Sequence, residues 1–397
     1  MIDILQETLC DYFPDDTLTS CCFLTRAINR KVSYYWFKRF EIIPYDGFQT
    51  PSAGFRIRGH KGYAVLSLCP FFTDYKPTQT LFCALSRSRD ETVSELESIG
   101  RFTSLHPIQS LTLYVQGDYL SDIVPLLSQH CRCPDLSVVG DFIYREGPKL
   151  RRRHFKDQSW DHLTSLSASS PILFNPYGRH ITRRMMSSQH LRDLCLHDKT
   201  LSSRGWTLLL GRVTIPNLTI FKVNGRVPMD SLCSFLARHT RVEDLTLGTS
   251  IHSRSCQSKI VVLPNLLSLH TPVRLALPFL RVNTTIARLN FRKDPQSTVR
   301  DIREALLLLV GTAVYHLTLS VNAEVMEALS APHIPVCLRL VEILSLSAVG
   351  NFTHPMLVSV AFVSSLRRTH RGCRTLSRIS SLLYLGSIYS SLLNPKM

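Results

Sequence analysis

Leu191-Arg192-Asp193-Leu194-Cys195-Leu196 carries the pattern on which the fold turns. An aliphatic residue is followed by two free positions, a second aliphatic, one free position and a third aliphatic. The same arrangement opens at Ile108-Gln109-Ser110-Leu111-Thr112-Leu113 and returns at Leu218–Val223, Val242–Leu247, Ile286–Phe291, Val314–Leu319 and Val341–Leu346. Weaker copies stand at Cys133–Val138, Leu163–Ala168 and Leu266–Thr271. Their first positions lie 25, 30, 28, 27, 24, 24, 20, 28 and 27 residues apart, averaging about 26. The pattern describes a short strand whose fourth and sixth residues point into a core, with the residue between them pointing out. The segments between copies are long enough for a helix. Helical patterning occurs at Tyr119–Cys131, Met229–His239, Thr298–Val310 and Ala323–Leu329.

Ten such units resemble a leucine-rich repeat, whose period is roughly 20 to 29 residues. The resemblance implies an α/β solenoid of short parallel strands with helices on the other side, here spanning 108–350. A strand and helix of this size cannot bury a core alone, so neighbouring units must stack. A doubly wound α/β domain also alternates strand and helix. Its buried parallel strands usually read as longer apolar runs, however, and no glycine-rich loop follows any strand here. Leucine marks the boundary: of 59 leucines, 9 fall in the first 100 residues. With 44% hydrophobic and 19% charged residues, the chain is not compositionally disordered. Residues 44–107 read as an irregular connector, with one helix at Asp90–Ile99, and residues 351–397 as a helical cap.

Residues 1–43 differ in character. Ile4, Leu5, Leu9 and Tyr12 lie along one apolar helix face, which Pro14 ends. Asp15 or Asp16 can cap a second helix through Leu18, Cys21, Cys22 and Leu24. The aromatic cluster Tyr34-Tyr35-Trp36-Phe37-Lys38-Arg39-Phe40 leads into Glu41-Ile42-Ile43, expected as the strand that starts the sheet. The stretch from Asp16 to Arg30, with Trp36–Phe40 after it, resembles the second half of an F-box. Leu24 stands at its usual aliphatic, Arg26 at its basic position and Ile28 where tryptophan is common. An F-box followed by leucine-rich repeats is similar in order to the F-box repeat proteins abundant in mushroom-forming fungi. Phe235–Gly248 has the same look. That family usually opens with a Leu-Pro pair before its first helix. This chain begins inside that helix, so the segment reads as a shortened F-box.

The resemblance implies the substrate-recognition subunit of a Skp–cullin–F-box ubiquitin ligase. Its partners would be a Skp-type adaptor, a cullin ligase and a protein substrate. Leu5, Leu9, Phe13, Pro14, Leu18, Leu24 and Ile28 would face the adaptor. Read as residues alone, the same side chains equally form a small helical core that caps the repeats.

No phosphate-cradling glycine loop, nucleophile elbow or paired-histidine metal motif occurs, so neither catalysis nor a cofactor is expected. His130, Cys131 and Cys133 are close but lack a second pair at ligand spacing, and Cys133 falls on the aliphatic register of a repeat. Core packing is the expectation there. The 12 cysteines show no disulfide-scaffold spacing, and the acidic start Met1–Glu7 does not read as a signal peptide. Reduced thiols in the cytoplasm or nucleus follow. Ile379–Leu393 is shorter than the roughly 18 to 20 apolar residues of a spanning helix. With Arg367, Arg368, Arg371, Arg374 and Arg378 before it, it reads as a capping helix with a basic face, a surface-lying anchor being the alternative.

The 46 Lys and Arg outnumber 30 Asp and Glu, giving +16. Eleven of those charges come from 141–190, which holds Lys149–Lys156 and Arg179–Arg184, and from 351–397. Such clusters can bind phosphate backbones. No nucleic-acid-binding fold accompanies them, so solvated loops are expected and nucleic acid is not the expected partner. The alternative is a repeat scaffold without a ligase link that touches nucleic acid through these loops. The expected working surface is the outward row of the strands: Thr112, Ser137, Ser167, Cys195, Lys222, Thr246, His270, Asn290, Thr318 and Ser345. Flanking outward positions add Tyr114, Asp193, His197, Asn224, Asp244, Arg288, Arg292 and His316. Repeat proteins use such extended faces to bind partners.

Overall fold

The computed structural model describes residues 80–105, 107–116, 133–140, 160–176, 178–251, 261–292, 296–321, 323–329 and 343–348. It also describes strands Ile42–Tyr45 and Gly54–Ile57 and the single residues Pro14, Thr17, Ser20, Cys21, Tyr63, Asp294, Ala331, Ile334, Leu338 and Val341. The chain divides into two compact units, residues 1–201 and 202–397.

In the first unit, β1 (Ile42–Tyr45) pairs antiparallel with β2 (Gly54–Ile57). Five strands then add in chain order, each parallel to the last: β3 (Thr80–Ala84), β4 (Ser110–Tyr114), β5 (Asp135–Val139), β6 (Ser165–Ala168) and β7 (Asp193–Asp198). The second unit carries β8 (Ile220–Gly225), β9 (Asp244–Leu247), β10 (Ser268–Pro272), β11 (Arg288–Arg292), β12 (His316–Val321) and β13 (Ile343–Ala348), again parallel and in chain order. A doubly wound sheet reverses its strand order; neither unit does. This is α/β architecture with parallel strands stacked as in a solenoid.

All ten sequence copies form strands, and each strand opens two residues after the first aliphatic of its copy. The register then lines up like with like. Leu81, Leu111, Leu136, Leu166 and Leu194 stand opposite one another on β3 to β7. Phe221, Leu245, Leu269, Leu289, Leu317 and Leu344 do so on β8 to β13. The described members of both rows are fully buried or nearly so. Alternation puts the aliphatics on one face, and stacking identical positions gives each a like-sized neighbour above and below.

The strand at Ile42–Tyr45 matches the expectation for Glu41-Ile42-Ile43. The stretch 44–107, read from sequence as a connector, carries two further strands in repeat register. Phe55 pairs with Leu81 and Ile57 with Cys83. Three residues before Phe55 and Leu81 stand Ser52 and Thr78, so both copies lack the first aliphatic of the pattern. The helix expected at Asp90–Ile99 is longer.

That helix is α1 (Arg89–Leu105), which buries Thr92, Glu95, Leu96, Ile99 and Phe102 at helical spacing. The Ser86 N–H donates to Glu95 Oε2 at 2.8 Å, and Thr92 Oγ1 donates to the Ser86 carbonyl at 3.1 Å, so the turn before the helix is tied to its buried face. The first unit also holds α2 (Gly178–Met186), where the Gly178 N–H donates to Asn175 Oδ1 at 2.7 Å. A Cβ on Gly178 would lie 2.1 Å from the Ile172 carbonyl oxygen, so only glycine fits there.

In the second unit, α3 (Ser203–Leu210) is capped by Ser202, whose hydroxyl accepts from Gly205 N–H at 3.2 Å. Next come α4 (Met229–Leu236), α5 (Val273–Leu280), α6 (Val299–Leu308) and α7 (Ala323–Leu329). The helices expected over Met229–His239, Thr298–Val310 and Ala323–Leu329 are α4, α6 and α7. Thr298 and Asp301 close a capping box at the start of α6, at 2.9 and 3.2 Å. No helix among the described residues is long and apolar enough to cross a membrane.

One position three residues before the first aliphatic recurs as a tight turn. The N–H groups of Leu163, Leu191, Leu218, Val242, Leu266 and Val341 donate to the carbonyls of Trp160, Ser188, Ile215, His239, Leu263 and Leu338. All six turn residues are buried. Where that residue is polar, its side chain reaches back to the preceding unit. Ser188 Oγ donates to the Leu163 carbonyl at 2.9 Å. His239 Nε2 accepts the Ile215 N–H at 2.8 Å. At the equivalent place Asn283 Oδ1 accepts the Leu263 N–H at 2.6 Å, while its amide donates to the Phe279 carbonyl at 2.9 Å. These bonds satisfy the buried N–H groups of Ile215 and Leu263 and the carbonyls of Leu163 and Phe279. Replacing Asn283 by alanine strands the Leu263 N–H, and a loss of about 2 kcal/mol in urea unfolding is expected.

Residues Leu5, Leu9, Phe13, Leu18, Leu24 and Ile28 lie outside the described residues, as do Tyr119–Cys131, 149–156 and 351–397. Pro14 is described and exposed, and Thr17, Ser20 and Cys21 are helical.

Candidate partner-binding face

The outward row assembles differently in the two units. In the first, Phe82, Thr112, Ser137, Ser167 and Cys195 stand opposite one another on β3 to β7. This row carries no acidic or basic side chain. Asp135 beside it is occupied: Thr164 Oγ1 donates to its Oδ1 at 3.1 Å and Gln109 Nε2 to its Oδ2 at 3.5 Å. Tyr114 ends β4, and Asp193 and His197 lie on β7, all half-buried.

In the second unit, Lys222, Thr246, His270, Asn290, Thr318 and Ser345 form one row across β8 to β13. A parallel row holds Asp244, Ser268, Arg288 and His316. Arg292 stands opposite Pro272, and Asn224 ends β8. Lys222, Arg288 and Arg292 are exposed, while Asn224, Asp244, His270, Asn290 and His316 are half-buried. The side chain of Asn224 lies across Gly248, where a Cβ would meet its Oδ1 at 2.0 Å.

His270 is the centre of this set. Its Nε2 is 3.0 Å from the hydroxyl of Ser268. Burial holds its imidazole below the usual histidine range; Asp244 pulls upward, and Arg292, Arg288 and Lys222 push further down. Histidine, serine and aspartate meet here, but Ser268 is 1% exposed, so its hydroxyl orients the ring rather than facing a substrate. Sequence spacing missed Ser268 because serine carries no signal at a strand position. It also missed Leu267 and Tyr315, which are 44% and 42% exposed just before β10 and β12.

Of the other sequence features, Arg179–Arg184 forms the outer side of α2, whose Ile181, Met185 and Met186 are buried. Its Arg179, Arg183 and Arg184 are half-buried and His180 is exposed, so the cluster lies along a helix and not in the solvated loop expected from sequence. Cys133 is fully buried, its thiol donating to the Asp135 carbonyl at 3.3 Å and pushed up to about 12 by burial, so it serves as core, as its register implied. Among the described residues, no cluster of three metal-ligating side chains occurs. No protein-family model matches the chain, and no curated protein matches it.

Proposed function

We propose that the chain is a leucine-rich-repeat protein that binds a protein partner on the outward face of its strands. Residues 1–43 act as a shortened F-box that ties it to a Skp-type adaptor and cullin. It is then a non-enzymatic substrate-recognition subunit of a ubiquitin ligase, working in the cytoplasm or nucleus. The observation that supports the repeat reading best is the register. Equivalent aliphatics face each other strand after strand, leaving a continuous row of polar positions outward across the strands of the second unit. The ligase link rests on the resemblance of Asp16–Arg30 and Trp36–Phe40. The mechanism is tethering: holding a substrate near the ubiquitin donor raises its effective concentration without any chemistry by this chain.

Co-expression with a Skp-type adaptor tests the link. The adaptor should remain bound to the full chain through size-exclusion chromatography, and Leu24→Asp should release it while leaving the thermal unfolding of the repeats unchanged. Elution of the full chain without adaptor overturns the ligase role and leaves a repeat scaffold.

A further inference from the structure

Three arginines on the helical side of the second unit are matched by acids. Arg274 Nε lies 2.9 Å from Asp294 Oδ2, Arg281 pairs with Glu304, and Arg303 lies 3.5 Å from Glu327. The exposed cations of the sheet face are not. Lys222, Arg288 and Arg292 make no ion pair with any described residue. The only carboxylate at an outward position of β8 to β13 is Asp244, two strands from Arg288.

An apolar ledge adjoins Arg288. The Ala287 N–H donates to the Leu267 carbonyl at 2.9 Å, and the Tyr315 N–H to the Ala287 carbonyl at 3.1 Å. Leu267, Ala287 and Tyr315 therefore stand side by side just before the neighbouring strands β10, β11 and β12, roughly 5 Å apart. Each immediately precedes the first residue of its strand: Ser268, Arg288 and His316. Glu243 occupies the same place before β9 and closes the ledge on that side with Asp244.

We infer that this patch is the docking site for an extended, acidic segment of a partner protein that also carries an apolar side chain. The inference deepens the partner-binding reading above and rests on it. The carboxylates of the segment lie over Arg288 and Arg292, and its apolar side chain rests on Leu267 and Tyr315. Tyrosine and arginine are among the residues that dominate binding energy at interfaces. The acids of β9 set the direction, since a second carboxylate placed there meets repulsion. A nucleic acid strand fits poorly: it carries a charged phosphate at every nucleotide and needs a continuous run of cations. Here three dispersed cations share the face with two carboxylates and an uncharged ledge.

Panning a display library of random dodecapeptides on the full chain tests this. The enriched peptides should be rich in Asp and Glu and carry at least one aliphatic or aromatic residue. Their binding, measured as synthetic peptides by fluorescence anisotropy, should weaken at least about tenfold in R288E/R292E and also in L267S/Y315S. All the substituted side chains are exposed, so both variants should unfold at the wild-type temperature. No enrichment, enrichment without acidic excess, or affinity unchanged by R288E/R292E overturns the inference. So does tighter binding of a twenty-residue oligothymidine that R288E/R292E abolishes, which makes the patch a nucleic-acid surface. Adaptor co-purification is read separately. A chain that holds the adaptor but selects no acidic peptide refutes this docking site alone; one that selects them without holding the adaptor keeps the site and loses the ligase role.

Discussion

Phe235→Ala should lower the stability of the second unit by about 3–5 kcal/mol, a large share of the 5–15 kcal/mol typical of a folded domain. Phe235 sits in the last turn of α4 and is fully buried. Its ring centroid lies 4.9 Å from that of Phe221 on β8 and 4.0 Å from the His239 imidazole. The carbonyl of the same residue receives the His239 Nδ1 proton at 2.6 Å, which fixes the tautomer that lets Nε2 accept the Ile215 N–H. Truncation therefore removes a large apolar side chain, leaves a cavity between helix and strand, and frees the imidazole that satisfies a neighbouring turn. In a stack of units each held by its neighbours, the loss spreads along the array. Urea unfolding followed by circular dichroism measures it, and a loss below about 1 kcal/mol would refute the placement of Phe235. Phe235→Leu refills much of the cavity and should cost roughly 1–2 kcal/mol.

How much of this was readable beforehand depends on whether a position has a fixed chemistry. The fourth and sixth residues of each copy face the core and are apolar in all but the Leu266–Thr271 copy, so ten strands could be located to the residue. Strands β2 and β3 escaped because their copies begin on Ser52 and Thr78. The buried turn residue escaped for a deeper reason. Trp160, Ser188, Ile215, His239, Leu263 and Asn283 occupy one structural position with no common side-chain class. Apolar members fill space, polar members accept or donate to the preceding unit, and no composition rule joins the two. Asn283 in particular is buried with its amide spent on the backbone. The outward face was legible as a list of positions. Which of them are exposed cations, and that Leu267 and Tyr315 flank them, depends on packing that spacing does not encode.

Raising the pH from 5 to 8 should weaken the first unit and strengthen the second. In the first, Glu95 is 1% exposed among the partners of α1, near Tyr63 and Cys83. Burial lifts its carboxyl to about 7; the Ser86 N–H opposes the rise and Glu91 adds to it. Tyr63 and Cys83 are likewise lifted, chiefly by burial, so both stay neutral. Between the ordinary carboxylate value and about 7, folded Glu95 holds a proton that the unfolded chain has released. Its contribution is thus full at low pH and is lost as pH rises through 7, an effect of order 2–3 kcal/mol. His239 runs the other way. Burial, with Arg238 adding to it, holds the imidazole below its ordinary value against the pull of the Phe235 carbonyl. A proton on Nε2 would also face the Ile215 N–H, so the second unit loses stability as pH falls below the ordinary histidine value near 6.5. Hydrogen exchange followed by mass spectrometry at both pH values, corrected for intrinsic rates, reads the two units separately through peptides from 80–116 and 203–248. Glu95→Gln keeps an acceptor for the Ser86 N–H and removes the charge. It should stabilise the first unit by about 2–3 kcal/mol at pH 8 and by less than about 1 kcal/mol at pH 5. A variant no more stable than wild type at pH 8 would mean that Glu95 is not the buried, charge-averse group this packing makes it.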